Sequence, residues 1–300
     1  MVPKFLKFLF LISLPFYRFY FFSITDKTNL PGVYFDRMGR KIGKELLFRG
    51  IVSPKLLFNP VSIVRYFEFD YVDKNIEIKP KENILDISSP FLFGFCAAKN
   101  YKITYNYINP DLADLQRVKK FAAKIHFAGK FESYKIDAIK LPFENNKFDK
   151  VISISVIEHV NGDGDSLVMQ EMWRVLKPGG RLILTFPVSK KFEIEYTQNN
   201  IYNLAVDKKE NNYFFQRIYD EENIQSRLLN SVDQYEVISK TIFGEKEKGF
   251  YDEYVKRWQK WGIMETVKDP YYISKYFTYF NQIENLPGLG VIGITLRKNL

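Results

Sequence analysis

Thiol chemistry and histidine chemistry are nearly absent from this chain. Cys96 is the single cysteine among 300 residues, so an internal disulfide and a thiolate metal cluster are both excluded. It sits in the apolar run Phe91 to Ala98, where a cysteine reads as a small buried hydrophobe. Two histidines, His126 and His159, are too few for a histidine-rich metal centre, and no metal is expected. Also missing is any stretch of about 20 uninterrupted apolar residues, the length that crosses a bilayer. Internal repeats and low-complexity tracts are absent too.

What is present is apolar bulk and positive charge. Hydrophobic residues make up 46% of the chain, ample for a core, so global disorder is excluded. The 44 Lys and Arg outnumber 35 Asp and Glu, giving +9 at neutral pH, which favours anionic partners. The basic residues are scattered rather than gathered into one stripe, which argues against nucleic acid as the partner. With 28 Phe and 20 Tyr, the composition suits a membrane surface at least as well as a polynucleotide.

Residues 1–25 mix Lys4, Lys7 and Arg18 with apolar and aromatic residues, and Pro15 interrupts them. A leading positive region suggests a signal peptide, but no small-residue cleavage pattern follows. Two readings stand: a segment in the membrane interface, or a helix packed on the core. Residues 26–80 hold short apolar pieces broken by Pro31, Pro54 and Pro60, read as a helical cover. The chain therefore divides into a basic, aromatic extension over 1–80 and an α/β domain over 81–300.

The centre of that domain is Lys147 to Val188. Val151–Val156 reads as a buried strand, with turn residues following from Asn161 to Asp165 and Asp165 as an N-cap. Val168, Met172, Val175 and Leu176 give the apolar face of a helix. Lys177-Pro-Gly-Gly180 stops it, and Arg181–Val188 is a second strand. This is a βαβ unit with a right-handed crossover. Asn83–Ile87 and Ile103–Ile108 read as the first two strands. Leu112, Leu115, Val118, Ala122 and Ile125 face a helix toward the core, with Asp111 at its start. Ser189–Asn212 is polar and reads as a flexible loop. Asp220–Leu229 is a helix, Tyr235–Thr241 and Gly288–Leu296 an antiparallel pair of strands. Between that pair, about 243–286, a helical insertion is expected to lid the site or touch membrane.

The Phe148-Asp149 before its strand, Glu158-His159 after it and the Leu176-Lys-Pro-Gly-Gly180 turn occur in order. Together they resemble the class I S-adenosylmethionine-dependent methyltransferases that act on small molecules and lipids. The resemblance covers about 81–188 well and 213–300 loosely. It implies a Rossmann-like α/β/α sandwich, a mostly parallel seven-stranded sheet with one antiparallel strand, and S-adenosylmethionine as cofactor. Asp86 lies in the opening strand, but Ser88, Pro90 and Leu92 replace the glycines of the family's first loop. Tyr107 stands where the family carries a ribose-binding carboxylate. Asp137 and Ala138 match the adenine-binding positions, and Ser155, Val156 and Glu158 border the cofactor. His159 is a candidate general base, and Asp163 and Asp165 have turn and cap duties. The expected acceptor is a small or lipid- or glycan-linked molecule; the alternative is a non-catalytic module binding a partner or membrane in an envelope or glycan pathway. The expected location is cytoplasmic, either free or peripheral to the inner face of the membrane.

Overall fold

The computed structural model describes residues 4–198, 208–209 and 212–300. Four helices come first: α1 (Lys4–Ser23), α2 (Val33–Phe48), α3 (Pro54–Phe58) and α4 (Arg65–Ile76). Alternation then begins with β1 (Asn83–Ile87), α5 (Leu92–Asn100), β2 (Thr104–Ile108), α6 (Leu112–Ala122) and β3 (Lys130–Tyr134). It continues through β4 (Phe148–Ile154), α7 (Gly164–Val175) and β5 (Leu176–Val188). A smaller antiparallel sheet follows, made of β6 (Glu193–Thr197), β7 (Lys208–Lys209) and β8 (Asn212–Ile218). The chain closes with α8 (Glu221–Asn223), β9 (Tyr235–Glu245), α9 (Phe250–Trp261), α10 (Ile263–Thr266), α11 (Asp269–Tyr276), β10 (Phe277–Phe280) and β11 (Gly290–Lys298).

The main sheet runs β10-β9-β11-β5-β4-β1-β2-β3. The β5-β4-β1-β2-β3 half is parallel throughout, because α5, α6 and α7 return the chain to the same edge each time. On the other side β11 pairs antiparallel with both β5 and β9. The seven strands implied by the resemblance are therefore present, and β10 adds an eighth at the edge.

Apolar side chains fill both faces of the sheet, as expected where strands carry near-continuous hydrophobic runs. One core joins α2, α4, α5, α6 and the insertion, with Phe67, Phe93, Tyr105 and Phe243 among its buried members. The other joins α7 and the segment after α8, including Met172, Phe186, Tyr219 and Leu228. The N-terminal helices thus share a core with the strands they cover.

Three local expectations change. Leu112 is exposed on α6, and Phe121 takes its place beside Leu115 and Val118, because the helix turns its first residue outward at the Asp111 cap. The polar stretch after Val188 holds strand β6, whose Glu193–Thr197 pair with Tyr213–Ile218 of β8; the rest of the expected loop lies partly outside the described residues. The helix expected over Asp220–Leu229 breaks into α8, a π-helical turn over Ile224–Leu228 and a 3-10 turn beyond it. Among the described residues no helix is long and apolar enough to cross a membrane.

Candidate functional site

The parallel strands end together at Ile87, Ile108, Tyr134 and Ile154, and loops at this carboxyl edge are where open α/β sheets bind ligands. Asp86 is fully buried one residue before that edge. Its Oδ1 accepts from the Ser89 N–H at 2.9 Å, and its Oδ2 accepts from the Tyr105 hydroxyl at 2.6 Å. Burial pushes the carboxyl up to about 6, against the pull of those donors. Asp86 therefore holds the loop rather than facing it.

The loop keeps a glycine-like bend without glycine. Ser88 has φ of 53°, a left-handed conformation that side chains other than Gly and Asn adopt reluctantly. Two bonds hold it there: the Ser88 N–H and Oγ both donate to the Ile108 carbonyl, at 2.9 and 3.0 Å. Ser89 is fully buried, and its Oγ accepts from the Ile154 N–H at 3.0 Å. Gly94, too late in the chain for that turn, sits inside α5, where an added Cβ would come within 2.4 Å of the Tyr105 ring. Its absent side chain serves packing.

Tyr107 is buried, its ring stacked on Phe131. Its hydroxyl accepts from Asn109 Nδ2 at 3.0 Å and donates to Asp114 Oδ2 at 3.4 Å. Asn109 Nδ2 also reaches Asp114 Oδ2 at 2.9 Å. Burial raises the phenol well above its ordinary value. Asp111, as expected, caps α6 by accepting from the Ala113 and Asp114 N–H groups. The position that should grip a ribose is closed on itself.

Asp137 is exposed beyond β3, and its Oδ1 accepts from the Ile139 N–H at 3.1 Å. Ala138 beside it is buried. These two present a carboxylate and a backbone at the loop edge.

The densest polar group lies past β4 and is only half visible in the sequence. Ser155 also takes a left-handed conformation, φ 47°, and its Oγ donates to Glu68 Oε1. Thr185 of β5 donates to the same oxygen at 2.9 Å, and Arg65 pairs with Glu68 Oε2. Arg65 and Glu68 come from α4, the N-terminal cover. Their spacing of three, in an otherwise aromatic stretch, is the signal that two polar side chains share one helix face. Val156 is half-buried beside them.

Glu158 is buried, and its Oε2 has no hydrogen-bond partner among the described residues. Burial pushes its carboxyl up to about 8, so it is mostly protonated at neutral pH. Burial pushes His159 the other way, down to about 4, so its ring is neutral. His159 Nδ1 lies 2.7 Å from the Phe215 carbonyl of β8. A carbonyl only accepts, so Nδ1 carries the proton and Nε2 the lone pair. That Nε2 is 3.7 Å from Glu158 Oε1. Tyr251, in the insertion, lies within electrostatic reach of Arg65 and Glu68, and burial raises its phenol to about 12.

Asp165 corrects the expected N-cap. It is fully buried inside α7, accepting from Arg227 at 2.8 Å and from the Tyr219 hydroxyl at 2.9 Å, with Arg217 at 3.6 Å. The cap position belongs to Asp163, whose side chain makes no cap bond and pairs instead with Arg227 at 3.3 Å. Asp165 ties α7 to β8 and the segment after α8. No cluster of three metal-binding side chains occurs among the described residues. A cavity of about 320 Å³ lies elsewhere, among Tyr34, Asp73, Cys96 and Asn100.

Residues 91–184 match the family model described as a methyltransferase domain. The matched stretch is similar to a methyltransferase domain, and the mostly parallel sheet with flanking helices has the Rossmann-like fold. The chain is 33% identical over 132 residues to an uncharacterized protein of Methanocaldococcus jannaschii, covering 43% of this chain and 52% of that one. It is 38% identical over 88 residues to a ubiquinone/menaquinone biosynthesis C-methyltransferase of Desulfotalea psychrophila, covering 28% and 35%. The chain thus spans about half, or less, of the curated relatives it matches. Among solved structures, a coclaurine N-methyltransferase bound to N-methylheliamine and S-adenosylhomocysteine superposes with a TM-score of 0.52 at 11% identity, covering 77% of this chain and 70% of that one. At that identity the likeness concerns the fold.

Do these residues fit S-adenosylmethionine, the cofactor of this family? Asp137 keeps an exposed carboxylate beside buried Ala138, and Ser88 keeps a left-handed turn, both compatible with that group. The residues do not reproduce the family's grip at the ribose, where Tyr107, Asn109 and Asp114 bond to one another. Pro90 also removes one N–H from the loop.

Proposed function

We propose that this domain transfers a methyl group from S-adenosylmethionine to an oxygen, nitrogen or carbon of a small or lipid- or glycan-linked acceptor. Glu158 carries the reading. A fully buried carboxyl oxygen without a partner costs about 1–3 kcal/mol or more, and a bound acceptor's donor at this carboxyl edge offsets that cost.

When bound, the cofactor supplies a methyl group already made electrophilic by its sulfonium. The protein's own task is alignment and proton handling. Asp137 and Ala138 would hold the adenine end, and Asp86 fixes the Ser88–Pro90 turn that would meet the methionine end. Ser155 and Val156 border the reacting region, with Ser155 held by Glu68. Glu158, neutral at pH 7, orients the acceptor. His159 receives the acceptor's proton at Nε2, its tautomer set by the Phe215 carbonyl.

The test is transfer of labelled methyl from S-adenosylmethionine to candidate amine, phenol, polyprenyl and glycan acceptors. Glu158→Gln keeps a neutral, hydrogen-bonding group and retains most activity. Glu158→Ala loses it by about tenfold or more, the worth of one buried hydrogen bond. Equal activity of the two variants would remove Glu158 from the site.

A second reading, a non-catalytic methyltransferase-like module in an envelope or glycan pathway, has one observation in its favour. The Tyr107–Asn109–Asp114 network satisfies groups that a cofactor ribose would otherwise engage.

A further inference from the structure

The outward faces of α1 and α2 carry a concentration of exposed apolar and cationic side chains. On α1, Leu9, Ile12, Phe16, Phe19 and Tyr20 recur at helical spacing and share one face. All are exposed, Phe16 and Phe19 to 76% each. The opposite face is anchored. Leu14 is fully buried, and Arg18, the one charged residue between Ile12 and Ser23, turns inward. Its guanidinium pairs with Asp36, bonds the Tyr66 hydroxyl at 2.9 Å and reaches the Asn59 side chain and the Val267 carbonyl at 3.2 and 3.3 Å. A helix so pinned lies along the protein surface and keeps its apolar side outward.

Asp36 belongs to α2, and Arg40 of the same helix lies over the Phe22 ring at 5.7 Å, so the two helices are joined there. The exposed positions of α2 are Tyr34, Arg37, Lys41, Lys44, Leu47 and Phe48, three cations among apolar side chains, and the nearby Glu45 is half-buried and paired with Arg49 and Lys99. Lys27, in the turn between the helices, lies 4.9 Å from the Phe22 ring. An apolar, aromatic helix face joined to one whose charged exposed residues are cations is the pattern of a helix pair lying in a bilayer interface. A second copy of this chain would bring the same cations against them.

We infer that α1 and α2 form a docking surface for an anionic lipid bilayer, with α1 lying in the plane of the interface and Arg37, Lys41 and Lys44 meeting headgroup phosphates. The surface is independent of methyl transfer, and stands whether or not the cofactor reading does. Its charge complementarity is local, and the chain's excess of +9 reinforces it.

Full-length protein is sedimented with phosphatidylcholine vesicles and with mixed phosphatidylcholine–phosphatidylglycerol vesicles, alongside Phe16→Ser/Phe19→Ser and Lys41→Glu/Lys44→Glu. Thermal melts confirm that both variants fold, as exposed positions should allow. The wild type pellets with the anionic vesicles, less so as salt is raised. Removing both phenyl rings weakens binding by about tenfold or more, and each lysine lost weakens it by about fivefold. Equal pelleting of wild type and the Phe variant, or no pelleting with anionic vesicles, overturns the proposal. So does Phe-dependent self-association in sedimentation velocity without vesicle binding.

Discussion

Replacing Asp86 by asparagine tests how the loop after β1 is held. The carboxyl is fully buried, and its folded-state value is about 6 against an ordinary 3.8. The folded value lies above the unfolded one, so the native state keeps its proton to higher pH. Between about pH 4 and pH 6 the unfolded chain gives up this proton first, and stability falls. Each unit of difference is worth about 1.36 kcal/mol, so the loss across this window is about 2–3 kcal/mol. An asparagine side chain does not titrate. Its carbonyl still accepts from the Ser89 N–H, and its amide donates where the carboxylate accepted, with the Tyr105 hydroxyl turning to receive it. Urea unfolding of both proteins at pH 4 and pH 7 isolates the effect, because every other group cancels in the difference. The stability of Asp86→Asn relative to wild type should rise by about 2–3 kcal/mol from pH 4 to pH 7. A difference unchanged over that range would refute the buried, destabilised carboxylate.

Three further outcomes follow. Arg18→Ala leaves Asp36 and Tyr66 buried without their partner, although Arg40 still pairs Asp36 at 2.9 Å. Breaking a buried ion pair costs about 3–5 kcal/mol, so chemical denaturation should show a loss near the lower figure, and a loss under about 1 kcal/mol would contradict the network. Gly94→Ala drives a Cβ to within 2.4 Å of the Tyr105 ring and should cost about 1–3 kcal/mol by overpacking; an unchanged melting temperature would show that the ring gives way. His159 is held near 4, so its base form is complete above about pH 5. The rate of methyl transfer should therefore show no rising limb near pH 6.5, and one that vanished in His159→Gln would contradict the assignment.

The parallel half of the sheet is readable because its strands carry uninterrupted apolar runs and its helices a 3.6-residue period. Val151–Ile154 followed by the face of Val168, Met172 and Val175 leaves little choice. The Asp111 cap and the buried Cys96 are equally local. What the chain pattern does not show is which polar side chains meet across long distances. Glu68 bonds Ser155 and Thr185, 87 and 117 residues away, and nothing in its own neighbourhood points there. Asp165 reads as a cap because it follows a Gly-rich turn; its partners Arg217, Tyr219 and Arg227 lie more than fifty residues on. The strand β6 is hidden for a related reason: its one apolar face is only Ile194 and Tyr196, too short a signal by itself, and pairing with β8 reveals it.

Methyl transfer by this chain requires a cofactor site that survives without its glycines. Calorimetric titration of the protein with S-adenosylmethionine and S-adenosylhomocysteine, beside Asp137→Ala, tests this most directly. Saturable binding of both is expected. Loss of the proposed adenine contact, a charged hydrogen bond worth about 1.5–3 kcal/mol, should weaken it by about tenfold to a hundredfold in the variant. No heat and no thermal shift with either ligand, or binding that Asp137→Ala leaves unchanged, would contradict the cofactor site.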